Sequence, residues 1–524
     1  MNKMLRSNVF GNDYISNNMI LSINDDFIRS KVLFFFKFIF HYGVIPQDFN
    51  ISHIVSIVKD RCKPANELSN LRPISISNAF SQIFERLLSF KIPELYHTHQ
   101  NQFGYKNKTS CTHALFAFKE VIIKCLDEKK HIFAIKLDAV KAFDKIWREG
   151  LFYKMKRKNL YVDGIIILKI YYDKLELKIK NDNKFSNKFK ISRGVKQGGI
   201  ISGALFNFFI NDLIEECCLS GFGARYIEII LCILGFCDDI CLLSESASDL
   251  RHLLSFCELF ANKWGIEYNI DKCKFIVFGS TKYTDSIFLL NNMPIGYTDK
   301  FKYLGIEFTK YLDMSEFFLS KFQSVKNSYF SLNAFGFRPG GINPFLQARV
   351  YKSFCISRML YGLEIMTINK KTLKSLNISQ NDIIRYMTGL SRNSHISSTL
   401  KILKVFNIFE LYQYMKLIFL KNLKSNFICN YIFDNLMSNT LIKKNSKSFI
   451  NEFKSVCDKL NLDYTFVRNN TTSVINNFKL ESFLYENNIE TEIIKVCLEN
   501  NEQYIMREQL NFTTYSGPLV LNVY

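Results

Sequence analysis

Three aspartates stand where acids are costly. Ile135-Lys136-Leu137-Asp138 closes an apolar run with a carboxylate. Asp238-Asp239 sits between Gly235-Phe236-Cys237 and Ile240-Cys241-Leu242-Leu243. The first pattern predicts a strand ending in an acid, and the second a strand–turn–strand with two acids at the bend. Burying unpaired carboxylates costs several kcal/mol, so three of them call for compensating positive charge. A pair of divalent cations supplies it. Hard oxygen ligands suit Mg²⁺, which keeps other positions for water and phosphate oxygens. Two such ions about 4 Å apart activate a hydroxyl and stabilise the leaving group of an in-line phosphoryl displacement. The Asp-Asp dipeptide alone reads more readily as a solvated turn, so its surroundings must decide.

The elements that would position these acids are legible in the apolar spacing. Phe27–Phe40 and Ala79–Leu88 have helical periodicity, and Ile51–Val58 alternates as a strand does. Ile132–Leu137 is a short strand leading into Asp138, and Ile229–Cys237 reads as one buried strand leading into Asp238. Leu175, Leu177 and Ile179 alternate with charged residues before Asn181-Asp182, which predicts a hairpin over 174–190. Residues 204–218 and 247–264 predict helices, 275–308 short strands, and the chain from about 311 onward helices again.

Composition bounds the partner. The chain has 524 residues and a net charge of +20, with 50 Phe, 26 Tyr and 8 Pro. A folded, aromatic and basic chain points to an anionic partner, with nucleic acid the first candidate. Lys154-Met155-Lys156-Arg157-Lys158 and the lysines 174, 178, 180, 184, 188 and 190 are expected to track phosphates. The 14 cysteines are scattered and read as reduced thiols of an intracellular protein. No run reaches the length of a membrane span, so no membrane partner is expected. His97, His99, Cys111 and His113 lack the spacing of a zinc site and read as ordinary loop residues.

In context, the acids resemble the palm of right-hand polymerases, and specifically the reverse transcriptases of non-LTR (LINE-type) retrotransposons. Asp138-Ala139-Val140-Lys141-Ala142-Phe143-Asp144 is similar to the DxxKAFD motif, and Phe236-Cys237-Asp238-Asp239 to F/YxDD. Arg193-Gly194-Val195-Lys196-Gln197-Gly198 resembles RGVxQG. Gly265-Ile266-Glu267-Tyr268-Asn269 with Lys272 resembles GxxxNxxK, and Tyr303-Leu304-Gly305 the YLG strand. Upstream, Arg72-Pro73-Ile74-Ser75 with Phe84-Glu85-Arg86, then Gln102-Phe103-Gly104-Tyr105, and Gly11-Asn12-Asp13-Tyr14-Ile15-Ser16 follow the family's order. Cys237 departs from a usual Ala, and Gly203 from a usual Pro.

The resemblance implies an α+β fold of fingers, palm and thumb, with an antiparallel palm sheet and a mainly helical C-terminal part. The expected divisions are a fingers-like part at 1–130, a palm at 131–310, a helical thumb-like region at 311–425, and a C-terminal region of unassigned role at 426–524. It further implies an RNA-directed DNA polymerase that extends a DNA 3′-OH on an RNA template, using two Mg²⁺ ions or Mn²⁺. Asp138, Asp238 and Asp239 would be its catalytic and metal-holding residues. Lys59 and Arg72 would hold the triphosphate of a dNTP, Gln197 would touch the nucleotide, Phe143 would exclude a ribose 2′-OH, and Lys272 would donate a proton to pyrophosphate. Its partners would be RNA template, DNA primer, dNTPs and a separately encoded endonuclease, in a nuclear or cytoplasmic ribonucleoprotein. This chain alone is not expected to nick DNA. An RNA-dependent RNA polymerase, a group II intron-type reverse transcriptase and an inactive copy that only binds RNA remain the alternatives.

Overall fold

A computed structural model describes residues 7–483 except 61, 183, 281, 284, 439–442, 444 and 445. Much of the expected 426–524 region, Cys497 included, lies outside the described residues. The chain divides into two compact units, Met1–Leu304 and Gly305–Tyr524.

The first unit is built on two sheets. The central one runs Gly296–Tyr297, Lys274–Phe278, Ile132–Asp138, Asp239–Ser244, Ile233–Phe236. Its two inner pairings and the hairpin at its end are antiparallel as expected, but Gly296–Tyr297 joins its edge in parallel. Ile132–Ile135 are buried without interruption, because helices Cys111–Asp127, Ser202–Leu219 and Ala247–Trp264 pack on this sheet and the strand before Asp138 has no solvent face. The nine-residue apolar run 229–237 is not one strand. Ile229–Ile230 turns back on Arg225–Tyr226, and only Ile233–Phe236 joins the sheet. The break lets Ala224 accept from Leu231 N and the Asn101 side chain donate to Ile230 and Ile233 carbonyls.

The second sheet pairs Ile51–Val58 antiparallel with Leu71–Ser77 and parallel with Glu176–Asn181, which continues into the predicted hairpin. Helix Asp26–Tyr42 starts on the Asp25 side chain and ends at Gly43 in the left-handed region. Helix Ala247–Trp264 is capped by Ser246 and ends at Gly265 (φ +71°), so the chain turns sharply into the 266–272 segment.

The second unit is helical. Ser315–Phe330, Lys370–Thr388, Ile408–Leu423 and Phe449–Lys459 bury Phe318, Ile384, Leu420 and Phe453. The helix at 408 starts from a capping box between Asn407 and Glu410. No helix among the described residues is long and apolar enough to cross a membrane. No disulfide joins cysteines among the described residues.

Candidate active site

Strand register brings the acids together. Asp239 opens its strand directly opposite Asp138, and opposite Phe236 on its other side. Cys237 and Asp238 are therefore the two-residue loop of a tight hairpin. Cys237 adopts φ +57°, at the first loop position where such hairpins favour glycine. This is the structural consequence of the Cys departure: a buried thiol in a left-handed turn, its pKa pushed up by burial and then by the Asp238 charge.

The carboxylates feel one another. Burial, then the charges of Asp239 and Asp138, raise the Asp238 carboxyl above the usual range. Lys136 Nζ holds Asp239 Oδ1 at 2.8 Å, and Lys272 Nζ lies 3.7 Å from Asp138 Oδ2. Two of the acids are thus drawn toward lysines, and among the described residues no three metal-ligating side chains close into a ready cage. The donor chemistry nevertheless fits a hard divalent cation. All three side chains are carboxylates that accept when ionised, and the Lys136 charge offsets only part of the burial and repulsion felt by Asp238. Lys136 was not singled out from sequence, although its place two residues before Asp138 on a strand puts both on one face.

A buried glutamine clamps the acidic turn. Gln102 Oε1 accepts from Cys237 N at 2.8 Å and Gly104 N at 2.9 Å, while its Nε2 lies 3.4 Å from Cys237 O. Phe103 N donates to Gly235 O (2.8 Å), and Gly235 N to Asn101 O (2.9 Å). The Gln102-Phe103-Gly104 motif thus backs the hairpin, a role its sequence did not disclose. The 266–272 segment braces the other acid. Asn269 N donates to Asp138 O at 2.8 Å, and Val140 N to Glu267 O at 2.8 Å.

Of the candidate nucleotide-binding residues, Lys272 reaches Asp138, while Gln197 and Lys59 act on Asp144. Gln197 Nε2 donates to Asp144 Oδ1 at 2.9 Å, and Gln197 O accepts from Ser75 N at 2.7 Å. Gly194 (φ +81°) lies where a Cβ would come 2.5 Å from Asp144 O, so glycine is required there. Burial raises the Asp144 carboxyl, against which Gln197, Lys141 and Lys59 act. Arg72 stands opposite Ile57 on the 51–77 hairpin, and Lys59 follows two residues after Ile57, so both share a face. Lys59 Nζ donates to Ser69 O at 3.1 Å. The half-buried Phe143 stacks on Phe206.

Behind this loop lies a buried ion pair. Lys196 Nζ is 2.6 Å from Glu85 Oε1, and Glu85 Oε2 accepts from Ile200 N and Ile201 N at the start of helix 202–219. Tyr171 OH donates to Glu85 Oε1 at 2.7 Å.

Part of the expected phosphate track is not available. Lys154 is buried, 4.0 Å from the Trp264 ring centroid, with Nζ donating to Phe209 O and pairing with Asp212 at 3.2 Å. Burial pulls its pKa down to about 8. Lys158 is engaged by Glu215 at 2.8 Å. Lys156 and Arg157 are exposed, as are Lys180, Lys184 and Lys190 of the hairpin. His113 is buried, with Nδ1 2.9 Å from Ser110 Oγ, and takes part in no metal-ligand group among the described residues.

Residues 59–308 match the reverse transcriptase (RNA-dependent DNA polymerase) family. The chain is 23% identical over 418 residues to the RNA-directed DNA polymerase from mobile element jockey of Drosophila melanogaster, covering 75% of this chain and 44% of that protein. It is 23% identical over 372 residues to the probable RNA-directed DNA polymerase from transposon X-element of the same species, covering 68% and 40%. A Pol polyprotein of the R2 retrotransposable element of Nasonia vitripennis is 27% identical over 295 residues, with 53% and 28% covered. The chain therefore spans less than half the length of these curated relatives. Among solved structures, apo telomerase from Candida Tropicalis aligns at TM-score 0.39 and 13% identity, over 94% of this chain and 74% of that one. Residues 59–308 thus match a reverse transcriptase domain, and the relatives to which the chain is similar are polymerases and Pol polyproteins of non-LTR retrotransposons.

Proposed function

We propose that this chain is the RNA-directed DNA polymerase of a non-LTR retrotransposon, extending a DNA 3′-OH on an RNA template with dNTPs. The observation that carries the reading is the register that sets Asp239 opposite Asp138 with Asp238 in the intervening turn. Asp138, Asp238 and Asp239 would hold two Mg²⁺ ions, with Mn²⁺ as substitute. Such ions, when bound, favour the alkoxide of the primer hydroxyl and offset charge on the leaving pyrophosphate.

The chain's own residues do the rest. Gln102 holds the Asp238 turn in shape before substrate arrives, so that little reorganisation is needed at the moment of reaction. Arg72 and Lys59, on one hairpin face, present fixed positive charge to the triphosphate. Gln197, oriented by Asp144, contacts the nucleotide. Phe143 fills the space a ribose 2′-hydroxyl would need. Lys272, whose Nζ lies 3.7 Å from Asp138 Oδ2, would pass a proton to the departing pyrophosphate.

Primer extension on an RNA template tests the reading. Wild-type protein is expected to make product with dNTPs and Mg²⁺, while Asp238→Ala makes none yet still binds the RNA–DNA duplex. Folded wild-type protein that makes no product would support the alternative of an RNA-binding copy. Extension that prefers NTPs would overturn the assignment as a DNA polymerase.

A further inference from the structure

Phe143 does not stand alone. One face of its ring stacks on Phe206 at 5.2 Å and 22°. The ring of Tyr105 meets it edge-on at 6.4 Å and 67°, within the range of favourable T-shaped pairs. The backbone leading into Tyr105 belongs to the clamp on the acidic turn, while the Tyr105 side chain is partly exposed. A Cβ on its neighbour Gly104 would come 2.5 Å from Cys237 N, and Gly104 O accepts from Asn207 Nδ2 at 2.6 Å. Tyr105 itself is held at φ +48°, a conformation bulky residues adopt only when their surroundings impose it.

Gly203 explains where the Tyr105 ring goes. A Cβ on Gly203 would overlap Cγ and both Cδ atoms of that ring. These atoms lie at the root of the side chain, so the whole ring would have to leave. Nothing in the backbone of Gly203 calls for glycine. It lies in the first turn of helix Ser202–Leu219 without a positive φ, where glycine is a poor choice on propensity. The absent side chain is used as space for Tyr105.

We propose that Tyr105, seated by Gly203, is a positioning residue for Phe143, and that the Tyr105–Phe143–Phe206 stack sets the discrimination between deoxyribo- and ribonucleotides. This rests on the reading of Phe143 as the ring facing the nucleotide sugar. A steric gate distinguishes substrates that differ by one oxygen only if the gate cannot swing aside. Phe206 blocks one direction of movement and the edge of Tyr105 another. The ring of Tyr105 does this work, not its hydroxyl.

Steady-state single-nucleotide insertion with dNTP and with the matching NTP tests the proposal in the full chain. Tyr105→Ala is expected to raise the NTP/dNTP ratio of kcat/KM by about fivefold to tenfold, the loss of one ring–ring contact. Tyr105→Phe should keep the wild-type ratio. Gly203→Ala should relax the ratio as Tyr105→Ala does, and the double variant should relax it no further, because the Cβ and the ring compete for one space. Phe143→Ala is the control for the underlying reading. A changed ratio in Phe143→Ala with an unchanged ratio in Tyr105→Ala overturns the proposal alone. An unchanged ratio in Phe143→Ala overturns the gate reading, and the proposal with it. A merely structural Tyr105 would lower both efficiencies together and leave the ratio fixed, which also overturns it.

Discussion

Asp238 is held at a cost to the fold. Burial, reinforced by Asp239 and Asp138, raises its carboxyl pKa. The unfolded chain releases that proton at lower pH than the folded one. The contribution therefore destabilises the metal-free protein as pH rises from the ordinary carboxylate range through the raised pKa, and is relieved as pH falls. Asp238→Asn should remove this slope and raise Tm by about 1–3 °C, while abolishing extension. Mg²⁺ should raise the Tm of the wild type more than that of the variant, because a ligand stabilises only the state that binds it. Calorimetry with and without Mg²⁺ reads both effects, and an Asp238→Asn protein less stable than wild type would show that the acid is not under strain. Lys136 sits at the same scale. Its bond to Asp239 occupies an oxygen that a cation would use.

At the scale of elements, two buried polar contacts join segments far apart in sequence. Gln102 lies 135 residues from Cys237 and is fully buried. Gln102→Ala strands the Cys237 N–H, at about 1–3 kcal/mol for a buried unsatisfied donor. Extension should fall mainly in kcat, since the residue shapes the acidic turn and touches no substrate. A rise in KM with kcat unchanged would refute that. The Glu85–Lys196 pair couples helix 79–91 to the Gln197 loop. For Glu85 burial pushes upward, but the Lys196 charge and the hydrogen bonds of Lys196, Tyr171 and Ile201 outweigh it and lower the carboxyl pKa. The stability it contributes is present above the unfolded carboxylate pKa and is lost as pH falls through the lowered one. Glu85→Gln leaves Lys196 buried without its counter-charge and should cost about 3–5 kcal/mol in urea unfolding. Adding Lys196→Met should recover part of that loss. If the double variant is no more stable than Glu85→Gln, the charge of Lys196 is not what makes the single variant costly.

Across the whole molecule, the charge of +20 agrees with the proposed nucleic-acid partner, but its lysines divide into two kinds. Lys154 supports packing under Trp264, whereas Lys180, Lys184 and Lys190 project from the hairpin into solvent. Binding of an RNA–DNA duplex should weaken linearly in log K against log salt. Lys180→Ala with Lys184→Ala should reduce that slope by about 1–2, one unit or less for each lost phosphate contact. Lys154→Ala should leave the slope unchanged and lower stability. A filter-binding titration at several salt concentrations, with a thermal melt, separates the two. An equal change of slope in both variants would place Lys154 at the nucleic acid after all.

By itself the sequence marked the three acids as an anomaly and disclosed the elements nearest to them. Ile51–Val58 and the helix at 247–264 declare themselves through periodicity, and Ile132–Asp138 as a short continuous apolar run, both properties of neighbouring residues. The three aspartates stand out because charge interrupting an apolar run is a local anomaly, but the order of the motifs around them supplied their reading. The break of 229–237 at Leu231, the clamp by Gln102, the pairing of Lys136 with Asp239, the burial of Lys154 and the fit of Tyr105 over Gly203 were decided only by tertiary structure. Each depends on a strand register or on contact between distant segments, and such contacts leave no periodic trace along the chain. Lysine in a basic run reads as solvated until packing shows which one lies beneath a tryptophan.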